Sequence, residues 1–343
     1  MKSHEYDFGL KDLTTLTGPS IILLCLFVAV MHGGAKLGLL PPPQPRADVD
    51  QTILAHQAES SVSRHEADIL LIGDSSCLMD CSARRLETLL PNHKVLNLGT
   101  LSYLDLRVYG DLLRRYTQTN PGQLRAVVVL VHPEMLNGVD AAPYHVDALN
   151  ALFRGADHCE TETVYDRLSC WLGLEILRGR LLNRLLPTPL PQSYGRFYGF
   201  NTGLRRYLAQ NNGSAIDPRP PLPKSAGTRS ATYSLSDKLE ASSRGFKSAV
   251  PPGIRLIVGI TPVPDTHVSA GFRLRYQQMV AVWSQWMKAD ATLTNLPPTL
   301  PAPLFGSATH LSQPGTRYYT KTLARALAPL IQNRDKADPG KAR

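Results

Sequence analysis

Beyond residue 64 the chain alternates short apolar runs with stretches whose apolar residues recur at helical spacing. Ala67–Ile72 (ADILLI), Lys94–Leu98 (KVLNL), Ala126–Val131 (AVVVLV) and Ile254–Ile260 (IRLIVGI) read as strands, the third too apolar to keep a solvent face. Ala83–Leu90, Leu104–Tyr116, a stretch around Phe272–Met287 and a last one from about Gln313 to Ile331 read as helices, and Pro91 stops the first. Strands buried on both faces and alternating with helices predict an α/β domain with a parallel sheet covered on both sides. Its expected limits are residues 65–332, followed by a charged, flexible tail over 333–343.

The amino-terminal pattern differs. Ile21–Leu40 is nearly continuous apolar sequence, interrupted by His32, Lys36 and glycines, and its length of about 20 residues matches one hydrocarbon thickness. Followed by Pro41-Pro42-Pro43, it predicts a single-pass transmembrane signal anchor with residues 1–20 in the cytoplasm. A cleaved signal peptide competes, because Gly33-Gly34-Ala35 offers the small residues a peptidase requires. Lys2 and Lys11 on one side balance Lys36 and Arg46 on the other, so orientation rests on the anchor's position. Residues 41–64 read as a polar tether, and the carboxyl-terminal domain is expected in the periplasm of a bacterium, at the inner membrane.

More than a hundred residues separate the third and fourth strands. Glu160–Leu186 looks helical, and Pro187–Val250 is rich in Pro, Ser, Gly and Arg without a lasting period, so about 140–250 is expected to be a functional insertion or flap. Of the +9 net charge, +8 falls in Trp171–Val250, which has 12 basic and 4 acidic residues. Such a local excess suits an anionic polymer, lipid headgroups or plain solvation. Without an aromatic-plus-basic motif, no nucleic-acid partner is expected. Five cysteines include Cys25 in the apolar segment; Cys159–Cys170 would close a short loop in an oxidising compartment, whereas Cys77 and Cys81 suit packing on a helix. No CxxC pair or HExxH run is present, and neither a metal nor a cofactor is expected.

Ligands of an open parallel sheet bind at the carboxyl ends of its strands. The first strand delivers Gly73-Asp74-Ser75-Ser76 there, and the second delivers Asn97-Leu98-Gly99. Ser75, at a helix start, is a candidate nucleophile, and the N–H groups of Ser75 and Gly99 are candidate oxyanion donors. His267, after the fourth strand, and His310, before the last helix, are the two histidines beyond residue 158. Asp74, His132 and Glu134 are candidate pocket residues. Each also has a plainer reading: Ser75 as a helix cap, His310 as a satisfied half-buried ring, Asp265-Thr266-His267 as solvated loop residues, and Arg205-Arg206 as a solvated turn.

IGDSS at Ile72–Ser76, NLG at Asn97–Gly99 and THLSQPG at Thr309–Gly315 resemble, in order, the first, second and last sequence blocks of the SGNH (GDSL-like) hydrolase superfamily. The resemblance spans about Ala67–Ile331 and implies a flavodoxin-like three-layer α/β/α fold, with Ser75 as nucleophile, Gly99 in the oxyanion hole and His310 as general base. Two positions depart from the pattern. Val131-His132-Pro133-Glu134 stands where the family places an oxyanion-hole asparagine, with Asn137 outside its spacing, and Ser307 stands three residues before the histidine, where the family has an aspartate. Either Asp265 or a backbone carbonyl orients His310, or the domain is a degenerate scaffold that binds polysaccharide or recruits a synthase. With the anchor, the chain is similar to periplasmic proteins of exopolysaccharide O-acetylation. That similarity implies acetyl transfer to a cellulose- or alginate-type polymer, with a multi-pass membrane acyltransferase as partner; with water as acceptor, the same machinery is a carbohydrate esterase.

Overall fold

The computed structural model describes residues 9–40, 49–102, 104–154, 164–182, 203–223, 233–269 and 271–335. The chain divides into two compact units, one built on Met1–Arg46 with Asn150–Thr188 and the other on Ala47–Leu149 with Pro189–Arg343. The first unit contains helix α1 (Leu10–Lys36), within which Thr14–Lys36 is long and apolar enough to cross a membrane, with a mean hydropathy of 2.0. Cys170 of this unit is disulfide-bonded; its expected partner Cys159 lies outside the described residues. The expected tail over 333–343 falls largely outside them too.

The second unit is an α/β domain. Strands β1 (Ile69–Gly73), β2 (Val95–Asn97), β3 (Ala126–Val131), β4 (Arg255–Ile260) and β6 (Ala291–Thr292) form one sheet in the order β2-β1-β3-β4-β6, every pair parallel. The short β5 (Val263–Pro264) and β7 (Thr299–Leu300) pair separately. Side chains of β1, β3 and β4 are buried on both faces, as their near-continuous apolar sequence requires. Ile69, Leu71, Val128, Leu130 and Ile257 share one core with Leu86 of helix α4 (Ala83–Leu89) and with Tyr319, Leu323 and Leu327 of the last helix. Helix α5 (Leu106–Thr119) packs on β1 from the second unit's other layer, together with two later helices, Asp237–Ala249 and Phe272–Met287. The chain leaves β1 towards β2 on one side and returns to β3 on the other, so the crevice between β1 and β3 is the topological switch point.

Within the stretch 41–64 read as a polar tether, Val49–Ser61 forms helix α2, eleven of whose residues are buried. Its polar composition disguised it. Gln57 Nε2 donates to the carbonyls of Gly99 at 2.7 Å and Gly213 at 3.2 Å, so a polar helix is satisfied while buried. The insertion likewise has its own order. Asp237–Ala249 is a helix capped by Ser236 Oγ, which accepts from Leu239 N, and it buries Leu239 and Phe246 in the layer that covers α5.

Candidate functional site

Helix α3 (Ser75–Asp80) starts directly after β1. Gly73 is required at this junction: a Cβ there would stand 1.8 Å from the Leu130 carbonyl oxygen of β3. Asp74 is the cap. Its Oδ1 accepts from Ser76 N at 2.9 Å and Ser76 Oγ at 2.6 Å, and its Oδ2 accepts from His132 N at 2.8 Å. Ser76 Oγ in turn accepts from Thr261 Oγ1 at 2.8 Å, joining the carboxyl ends of β1, β3 and β4 in one buried network. Burial pushes the Asp74 carboxyl up, opposed by these hydrogen bonds. Asp74 thus caps α3 and is fully buried.

Ser75 Oγ lies 3.0 Å from His310 Nε2, across 235 positions of sequence. It also lies 2.9 Å from Ser102 Oγ, on the loop after β2. If Ser75 donates to the imidazole, Ser102 donates to Ser75, and the His310 proton sits on Nδ1. The loop carrying His310 is pinned through its backbone. Ser307 Oγ accepts from His310 N at 3.0 Å, Gly306 N donates to His310 O at 2.9 Å, and Asp80 Oδ1, at the end of α3, accepts from Leu311 N at 2.8 Å. Ser307, at the position of the family's aspartate, thus shapes the turn and leaves the ring to another residue.

A carboxylate of the insertion stands beside that ring. Asp217, fully buried, places Oδ2 4.0 Å from His310 Nδ1. The segment holding it is fastened along the site: Ala215 N donates to Leu78 O at 3.0 Å, Ser214 Oγ accepts from Asn97 Nδ2 at 3.1 Å, and Asp217 bridges Ser312 in parallel fashion. Arg219 closes on the same carboxylate, its Nε donating to both oxygens at 3.0 Å. Asp265, the acid expected from sequence, is exposed, and its Oδ1 accepts from Ala302 N at 3.2 Å. His267 Nδ1 lies beside Thr266 Oγ1 at 3.1 Å. Geometry therefore favours Asp217 over Asp265.

Burial, reinforced by the positive charge of Arg219, lowers the His310 pKa to about 3. A ring so placed stays neutral, and able to accept a proton, well below its ordinary 6.5. The acid limb of any Ser75 acylation rate should then fall well below pH 6.5, the direction a depressed base gives. A rate profile with its midpoint at 6.5 would contradict this placement.

Gly99 N donates to Asn97 Oδ1 at 2.7 Å, and its carbonyl accepts from Gln57, so its N–H is already committed. Gly99 is needed instead for close packing, since a Cβ would meet Leu78 N at 2.6 Å. Ser75 N–H opens α3 and has no intrahelical acceptor. His132, at the end of β3, accepts from Glu134 N through Nδ1 at 3.2 Å, which places its proton on Nε2. Among the described residues nothing accepts from that buried Nε2. Burial, and then the neighbouring His310, lower the His132 pKa to about 3, so this ring is a neutral donor. The Glu134 side chain is largely exposed, with Oε2 3.8 Å from His132 Nδ1, and Asn137 Oδ1 accepts from Ser234 N at 2.8 Å. Arg205 pairs with Glu59 of α2 on the surface.

Cys77 and Cys81 are buried free thiols on α3 and its cap. Among the described residues no three His, Cys, Asp or Glu side chains cluster as metal ligands. A cavity of about 710 Å³ beside β2, lined in part by His56, His65 and Lys94, includes none of Ser75, His132 and His310. No family model and no curated protein sequence matches this chain.

Proposed function

We propose that this chain is a membrane-anchored acyl-ester enzyme of SGNH type, in which Ser75 is the nucleophile, His310 the general base and Asp217 the acid that orients it. The observation that carries the reading is the 3.0 Å approach of Ser75 Oγ to His310 Nε2 at the switch point of a parallel sheet. Ser75 Oγ attacks an acyl carbonyl while its proton passes to His310 Nε2. The oxyanion is met by Ser75 N–H and by His132 Nε2–H, which takes the place of the family's asparagine. The tetrahedral species collapses as the leaving alcohol takes the proton from His310, giving an ester on Ser75. An acceptor hydroxyl then gives its proton to His310 and attacks the ester, and Ser75 Oγ leaves as it takes that proton back from His310.

The acceptor we assign is a hydroxyl of a cellulose- or alginate-type exopolysaccharide, and the acyl group acetyl, supplied through a multi-pass acyltransferase of the inner membrane. The apolar helix Thr14–Lys36 and the disulfide at Cys170 support a domain tethered on the oxidising, periplasmic side. The alternative of a scaffold without chemistry rests on Ser307, and the Asp217 carboxylate 4.0 Å from His310 Nδ1 supports the catalytic reading against it. Treatment of the folded full-length chain with a fluorophosphonate should leave one adduct, on Ser75, located by mass spectrometry, and none on Ser75→Ala. Incubation with an acetyl ester and an oligosaccharide should then yield acetylated sugar in excess of free acetate. Absence of an adduct on folded protein would refute the catalytic reading, and acetate alone would make the chain an esterase.

A further inference from the structure

Helix α6 (Val164–Trp171) belongs to the same compact unit as α1 and is built inside out. Val164, Leu168 and Trp171 recur at intervals of four and three and so form one stripe; they are exposed, Val164 by 82% and Trp171 by 67%, and Tyr165 beside them is exposed too. Among the described side chains of α6 the buried one is Ser169. The apolar exposure continues past the helix with Leu174 and Leu182, and exposed Arg167 and Arg178 accompany it. An element that turns Val, Leu, Tyr and Trp outward and a serine inward expects a nonaqueous neighbour on its outer face.

Its position says which. The His32 ring nitrogen Nε2 lies 3.1 Å from the Trp171 carbonyl oxygen, and Gly173 packs on Met31. Both α1 residues lie within the last turn and a half of the apolar span Thr14–Lys36, which at 1.5 Å per residue is about 34 Å long against a hydrocarbon core of about 30 Å. The Trp171 end of the stripe therefore sits beside the end of that span, where a membrane-spanning α1 would bring acyl chains up to headgroups. Trp and Tyr favour that layer, and arginines beside them meet lipid phosphates. We propose that α6 and the turn after it form an interfacial foot that seats its Val164–Leu168–Trp171 stripe in the lipid surface beside α1, so that the anchor touches the bilayer at two places.

The inference is independent of the acyl chemistry. Its test uses the full-length chain reconstituted in nanodiscs of phosphatidylglycerol and phosphatidylcholine brominated near the top of the acyl chain. Trp171 is one of three tryptophans, and Trp283 is fully buried. Wild-type emission should fall by up to about one third relative to unbrominated discs, the share of one interfacial tryptophan. Trp171→Phe, an exposed and fold-neutral change, should remove that bromine-dependent loss. Equal quenching of the two proteins, or no quenching of either, would overturn the proposal; the latter would leave the stripe to a protein partner.

Discussion

Alanine at His310 is expected to slow fluorophosphonate labelling of Ser75 by about 10⁴-fold or more, the scale on which a serine nucleophile depends on its imidazole. The hydroxyl at 3.0 Å has no other base among the described residues: its second partner, Ser102, is itself a hydroxyl. The variant should fold. The loop around residue 310 is held by Ser307 Oγ on the backbone N–H, by Gly306 N on the carbonyl, and by Asp80 on Leu311 N, none of which involves the ring. Retained thermal unfolding with lost labelling is the expected pair of results. A variant that labels at the wild-type rate would show that the 3.0 Å approach has no chemical consequence.

The pattern of the chain revealed the sheet because its strands are buried on both faces and so are apolar without alternation, a signal that survives in one sequence. Ser75 and His310 were legible for a related reason. Each follows a turn with a fixed backbone requirement, Gly73 against Leu130 O and the Ser307–His310 turn, and such turns leave recognisable residues. What was not legible depends on contacts made at a distance. Helix α2 is polar and yet buried, because its Gln57 serves backbone carbonyls over forty and over a hundred and fifty positions away. Gly99 looked available for an oxyanion, but the Asn97 side chain two residues before it takes its N–H. His132 stood where an asparagine was expected, and only the hydrogen bond from Glu134 N decides which of its nitrogens donates. Asp217 lies in a proline-rich run, Asp217-Pro218-Arg219-Pro220-Pro221, with no period and no motif; an acidic residue beside an arginine there was the only available hint.

Asparagine at Asp217 is expected to lower the Ser75 labelling rate by about 10²–10⁴-fold, or about 2.7–5.4 kcal/mol of transition-state stabilisation. In the proposed mechanism the carboxylate has two tasks. It favours the tautomer with the proton on Nδ1, which frees Nε2 to accept from Ser75, and it attracts the imidazolium that forms as the proton arrives. At 4.0 Å the ground-state contact is looser than a hydrogen bond, and the ring must gain charge before the attraction is fully felt. Arg219 complicates the substitution, because it loses the carboxylate that both its Nε contacts use. The double variant Asp217→Asn/Arg219→Gln restores charge balance, so a rate that stays low in it reports the missing acid rather than a stranded guanidinium. Asp265→Asn is the matched control. Its carboxylate only receives Ala302 N at the surface, and labelling should remain within about twofold of wild type, as an exposed change away from the site allows. The opposite ranking, with Asp265→Asn slow and Asp217→Asn unaffected, would return the acid to the loop after β4 and leave the insertion without a part in the chemistry.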